Sequence, residues 1–225
     1  MSTIIRHTGN YQDWNVYRKA VIVCDLTEVF LTRFMAGYGR TIDQMRQAAR
    51  SCKQNIVEGS CAAAVSRATE IKLTGVAKAS LQELAEDYRD YLRQHALEIW
   101  ELSDPRTTRT RHYLKTHDDP AEVVECCRDS PACVIANIML TLIAQLDSML
   151  RAVIDRAEAR FIAQGGIRER MTATRLRHRN LSTPPANHKK GDAEMASPFG
   201  FVRGLSALDY DFLRLVTYTH EVNAG

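Results

Sequence analysis

Not one proline occurs in the first 104 residues of this 225-residue chain. Proline removes a backbone donor and clashes with the preceding helical turn, so its absence leaves almost half the chain free to run as long uninterrupted helices. The few glycines of the stretch fall mostly between apolar-periodic segments. From about Tyr11 to Met35, the spacing places Tyr17, Val21, Cys24, Leu31 and Met35 on one face, flanked by Val16, Val23, Phe30 and Phe34. Gly37 and Gly39 then interrupt the pattern. Thr41 and Gln44 have the spacing of a capping box, which predicts a second helix to about Ala63 with Ile42, Met45, Ala49, Cys52 and Ile56 as its seam. A third helix is expected from about Ser66 to Trp100, with Ile71, Val76, Leu81, Leu84, Tyr88, Tyr91 and Leu92 inward. At 1.5 Å per residue that is a rod of about 50 Å.

Beyond it stand Asp104-Pro105, Asp119-Pro120 and Ser130-Pro131, each an N-cap residue type before a proline suited to a first helical turn. The last opens a helix from Pro131 to about Gln164, with Ile135, Ile138, Leu142, Leu146, Met149, Leu150 and Val153 inward and Gly165-Gly166 as its stop. Apolar steps of three and four are those with which helices interlock side by side. The expected fold is therefore all-α. It is an up-down four-helix bundle over residues 10–166, with a short helical insert at about 102–129, a basic helix at 167–181, and a linker with an apolar C-terminal segment at 182–225. No stretch alternates with period two, so no sheet is predicted.

Apolar residues make up 45% and charged residues 25%, the balance of a globular chain. No apolar run is read as a membrane span, and no membrane partner is expected. The opening MSTIIRHTGNYQDWN has no apolar signal core, so a cytoplasmic location is expected. In that compartment Cys24, Cys52, Cys61, Cys126, Cys127 and Cys133 read as free thiols, none of them in a C-x-x-C pair.

Within the second and third helices lie Gln47-Ala48-Ala49-Arg50-Ser51, Asn55-Ile56-Val57-Glu58-Gly59, Glu70-Ile71-Lys72-Leu73 and Ala77-x-x-Ser80-Leu81-x-Glu83-Leu84. These blocks resemble the four-helix bundle family found in ribosomal RNA intervening sequences, whose relatives include the accessory variability protein of diversity-generating retroelements. Downstream, Glu86-Asp87-Tyr88-x-Asp90-Tyr91-Leu92 and Phe161-x-x-x-Gly165-Gly166-Ile167-x-Glu169-Arg170-Met171 are similar to the subgroup named for a four helix bundle suffix domain. The resemblance covers about residues 12–180. It implies a homo-oligomer, a pentameric ring, without catalytic activity or cofactor. It also implies basic surfaces that bind nucleic acid, and a protein partner such as a reverse transcriptase. In its motif, Asn55, Glu58, Gly59, Ser80 and Glu83 are read as structural, with Gly59 and the mid-helix Gly75 as close-packing positions.

Charge is placed rather than spread. Between Ile167 and Lys190 lie Arg168, Arg170, Arg175, Arg177, Arg179, Lys189 and Lys190 against Glu169 alone, a local balance of +6. Of the 30 basic and 27 acidic residues in the chain, that leaves 23 basic and 26 acidic for everything else. Arginine-rich helices suit phosphate contacts, which set affinity without reading sequence. The same segment is compatible with an acidic protein partner or with a plain solvated helix and tail. Arg46, Arg50 and Lys53 form a second basic stripe, and Arg106, Arg109, Arg111 and Lys115, with His112, Tyr113 and His117 among them, a third.

His112, His117, Cys126, Cys127 and Cys133 invite a zinc reading, but adjacent cysteines converge poorly on one tetrahedral ion, and no metal site is predicted. No phosphate loop, nucleophile elbow or converging carboxylate pair appears, so no enzyme is expected. Two functional readings result: a ring-shaped accessory protein that binds nucleic acid through basic surfaces, and an oligomeric adaptor that holds a protein partner with its basic helix and apolar C-terminus.

Overall fold

Helices supply all the regular structure of residues 15–182, the residues that the computed structural model describes. They are α1 (Asn15–Phe34), α2 (Arg40–Ala62), α3 (Arg67–Gln94), α4 (Pro105–Thr116), α5 (Pro120–Cys127), α6 (Ala132–Gln164) and α7 (Ile167–Ser182). Among the described residues there is no strand. The first fourteen residues, the expected linker, Lys189, Lys190 and the apolar C-terminal segment lie outside the described residues.

The four long helices pack in a closed circuit, α1 on α2, α2 on α3, α3 on α6 and α6 on α1. Their shared core contains Ile22, Phe30, Met45, Leu81, Leu84, Tyr88, Met139 and Leu146, all out of contact with water. At its centre the Phe30 ring of α1 meets two rings of α3 edge-on, Tyr88 at 5.0 Å and Tyr91 at 4.8 Å between centroids. Such pairs add about 0.5–1.5 kcal/mol to their area burial. The Tyr88 hydroxyl is satisfied by donating to Thr27 Oγ1 at 3.1 Å, and burial raises its pKa above the usual phenol value.

The expected seams of the second and fourth long helices are largely the observed ones: Met45, Ala49, Cys52 and Ile56 on α2, and Ile135, Leu142, Leu146 and Leu150 on α6, are buried. On α1 the buried face is turned. Tyr17, Val21 and Cys24 are only half-buried, whereas the expected flanks Val16, Val23 and Phe30, together with Ala20, Leu26 and Thr27, are fully inside. The reason is α5, which packs on a second side of α1. Val76, expected inward on α3, is 41% exposed, and Ala77 and Thr74 take the core side instead.

Helix ends differ in three places. α2 starts at Arg40 on Gly39, with no side-chain cap, so Thr41 and Gln44 form no capping box. α6 starts on Pro131 rather than on a Ser130 cap, while Asp104 and Asp119 do cap α4 and α5, accepting from Arg106 N and Glu122 N. α3 stops six residues before Trp100. There the Leu97 amide donates to Leu92 O at 2.8 Å and the Ala96 amide to Arg93 O at 3.2 Å, with Ala96 at φ 51°. This is a Schellman ending with alanine in the left-handed position that glycine usually fills, and the half-buried Leu97 packs back against the core.

The expected insert is α4 and α5. Lys19 of α1 reaches its chain: the buried ammonium donates to the carbonyls of Leu114 and, at 2.9 Å, of His117, closing the end of α4. A cation on the last carbonyls of a helix is well placed against its dipole. Desolvation lowers the Lys19 pKa, opposed by Asp118, which itself pairs with Arg18 at 2.8 Å. Asn137 of α6 ties the segment that leaves α3: it accepts from the Trp100 amide at 2.7 Å and donates to Glu98 O at 2.9 Å and Cys133 O at 2.8 Å.

Ala132–Glu169, with a mean hydropathy of 1.7 in its most apolar window, is long and apolar enough to cross a membrane by length and composition alone. That differs from the sequence reading of no such span. Half of that window is buried inside the protein, where Ile135, Ala136, Met139, Leu142 and Leu146 form the α6 side of the core.

Ala96→Gly relieves the left-handed alanine, worth about 1–2 kcal/mol, and returns part of the gain through the freer unfolded chain. Urea unfolding should show a net stabilisation of about 0.5–1 kcal/mol with an unchanged m-value.

Candidate nucleic-acid interface

α7 is built by the two glycines that precede it. Gly165 sits at φ 65°, its amide closing α6 on Phe161 O at 2.9 Å. A Cβ there would run into the Glu169 carboxylate. That carboxylate turns back to accept from the Gly166 amide at 2.8 Å. Glu169, the lone acid of the basic segment, is thus used as the cap of the helix, where the dipole also favours it.

The expected basic helix at 167–181 is therefore present as Ile167–Ser182. Arg168, Arg175, Arg177 and Arg179 are all exposed, and Arg170 lies on the same helix. Steps of seven and four put Arg168, Arg175 and Arg179 at one register position, with Arg177 on the other side of the helix. Ile167, Met171 and Thr174 run between the two. Ile167 and Thr174 are half-buried, and Met171 is 43% exposed.

Ion pairing is uneven among the arginines, and Arg50, Arg109 and Arg111, like several on α7, pair with no carboxylate among the described residues. Arg18 is held by Asp118, Arg67 by Glu70, Arg89 by Glu86, Arg93 by Asp90 and Arg128 by Glu125. Among the described residues no carboxylate pairs with Arg168, Arg175 or Arg177.

The second stripe is divided by the fold. Arg46 forks onto Glu28 of α1 at 2.8 and 3.0 Å and reaches Asp43 at 3.4 Å, so its charge ties α1 to α2. The same hydrogen bonding holds the Glu28 carboxyl below its usual range. Arg50 is exposed and Lys53 half-buried, both close enough to Cys24 to act on its charge. In the third stripe Arg106 lies 4.9 Å over the Trp100 ring and pairs with Glu98 at 2.7 Å and Asp104 at 2.6 Å. His117 stacks on Tyr113 at 4.1 Å, and Arg109, Arg111 and Lys115 remain exposed along α4.

The motif residues form an α2–α3 seam. Asn55 donates to Ser51 O at 2.8 Å and Ser51 Oγ at 3.2 Å, bonding within its own helix, and Ser80 crosses from α3 to Ser51 Oγ at 2.9 Å. Gly59 is buried against α3, where a Cβ would meet Leu73 Cβ at 3.5 Å and Thr74 Oγ1 at 3.6 Å, ordinary contact distances. Glu58 and Glu83 are exposed. Gly75 is not a close-packing position: nothing lies within 4 Å of where its Cβ would stand. Sequence reasoning did not single out Ser51, Lys19 or Asn137. A lysine inside the apolar stripe of the first helix was the available signal for Lys19.

All six cysteines are free thiols. Burial pushes the Cys24 and Cys127 thiols up to about 11 and Cys52 higher still, whereas Cys61 and Cys126 are exposed. Among the described residues no group of three or more His, Cys, Asp or Glu is placed to hold a metal ion. No family model, curated protein or solved structure matches this chain.

Gly59→Ala and Gly75→Ala should each stabilise the protein toward urea by up to about 1 kcal/mol, because alanine favours the helix and neither methyl meets a clash. Iodoacetamide at about pH 8, read by peptide mass spectrometry, should modify Cys61 and Cys126 first and leave Cys52 protected until the protein unfolds, since only exposed thiolate reacts.

Proposed function

We propose that this protein is a non-enzymatic four-helix bundle that self-associates into a ring and binds nucleic acid through α7. The carrying observation is that Arg168, Arg175 and Arg177 are gathered on one short helix, all exposed and without a carboxylate partner among the described residues. An ion-paired arginine must give up its partner to reach a phosphate, whereas these three need only shed water and counterions. Their placement allows contacts on either side of the helix, suited to positioning a backbone rather than reading bases. The closed circuit of α1, α2, α3 and α6 supports the bundle. Self-association is supported by large apolar side chains left in water where α6 ends and α7 runs, Ile162 at 83% and Leu176 at 50% exposure.

The competing reading is an adaptor that holds an acidic protein on the same helix. Fluorescence anisotropy with mixed-sequence RNA and DNA, at two salt concentrations, separates the two. Binding should weaken as salt rises. Replacing Arg168, Arg175 and Arg177 by Ala should lower affinity for all sequences alike and reduce the salt slope by about one unit for each phosphate that is no longer neutralised. Arg46→Ala should leave binding unchanged. Light scattering of the same nuclease-treated sample reads the assembly, for which five chains are expected. Absence of binding at low salt by a folded protein would remove the nucleic-acid reading.

A further inference from the structure

One departure from a featureless helical surface lies between α4 and α6. Here the segment after α3, which Asn137 pins at Glu98 and Trp100, lines with α4 and α6 a cleft of about 700 Å³. That is the size of a small-molecule site. Its walls are apolar: Leu114 is buried at its base, Leu140 and Met149 come from α6, and Ile99 and Leu102 stand 46% and 78% exposed at the mouth. Such side chains on and beside a segment held by two hydrogen bonds from Asn137 are a poor use of order unless something covers them.

Its polar groups are of two kinds. Most are already satisfied: Lys19 by two carbonyls, Asn137 by three partners, Thr141 by donating to Asn137 O at 3.0 Å, and Asp118 by Arg18. Three on one face of α4 are not. The Thr107 hydroxyl is buried, the residue 4% exposed, and has no hydrogen-bond partner. Arg111 follows one turn on and Lys115 one turn further, both lining the cleft, both exposed, and neither paired with a carboxylate among the described residues. A buried hydroxyl left unmade costs free energy, and two unpaired cations beside it define what would satisfy all three: a compact anionic acceptor.

We propose that this cleft binds a small molecule with an apolar body and a terminal carboxylate, the carboxylate on Thr107, Arg111 and Lys115 and the body against Leu102, Leu140 and Met149. The orphan hydroxyl and the unpaired cations select the head group, and the apolar walls select the rest. The site is independent of α7.

Isothermal titration of the full-length protein with decanoate, decanol and decyltrimethylammonium tests it. Decanoate is expected to bind saturably at one per chain, decanol about tenfold or more weakly, and the cation not measurably, since the carboxylate alone gains charge-assisted bonds. Arg111→Gln with Lys115→Gln, both at the surface, should cut decanoate affinity about tenfold and leave decanol unchanged. Thr107→Val, nearly isosteric, should leave the melting temperature of the free protein no lower while weakening decanoate. Absence of saturable decanoate binding would overturn the proposal. So would equal affinity for decanoate and decanol, or a double variant that binds decanoate as well as the parent.

Discussion

The edge-on contact of Phe30 with Tyr88 and Tyr91 joins α1 to α3 across the centre of the helix circuit. α2 and α6 close the two sides, and the buried Tyr88 hydroxyl has its acceptor in Thr27 of α1. Because the aromatic node is large and dry, α1 and α3 have one register in which both rings and hydroxyl are satisfied. Alongside it, the α2–α3 contact sets Gly59 against Thr74 and Ser51 against Ser80. The motif residues, read as structural in the sequence, lie along the α2–α3 contact, where Asn55 bonds to its own helix and Glu58 is exposed to water.

Docking of α4 and α5 onto the circuit is an electrostatic matter as much as an apolar one. Val123, Val124 and Cys127 bury the inner side of α5, but α4 has only Thr107 and Leu114 inside. Its position is held by Lys19 on its last carbonyls, by Gln145 donating to Arg111 O at 2.8 Å, and by the Asn137 clamp on the preceding segment. A helix held at its last carbonyls, at Arg111 O and by one leucine leaves space beside α6, and the cleft is that space. The same thin docking explains why the rest of α4 is cationic and solvated.

Charge pairing of the arginines varies along the chain. On α1–α5 carboxylates are close in sequence or across a helix contact, and most guanidinium groups find one. On α7 the single acid is consumed as a helix cap. Arg168, Arg175 and Arg177 therefore carry their charge into solvent undiminished.

Much of this was legible in the residues. Periodicity of three and four, the absence of proline and the Asp-Pro starts determined seven helical segments, their order, and most of the core side chains of α2 and α6, since these depend only on local spacing and capping. The basic character of α7 is equally a property of the sequence. What tertiary structure decided has a common cause, contact between residues about a hundred positions apart, such as Arg18 with Asp118 and Lys19 with Leu114, for which no period exists. Docking of α5 turned the buried face of α1. Glu28 removed Arg46 from the basic stripe, and Leu97 folding back on the core ended α3 at an alanine. Where those distant contacts are few, beneath α4, they left a cavity that no local pattern announces.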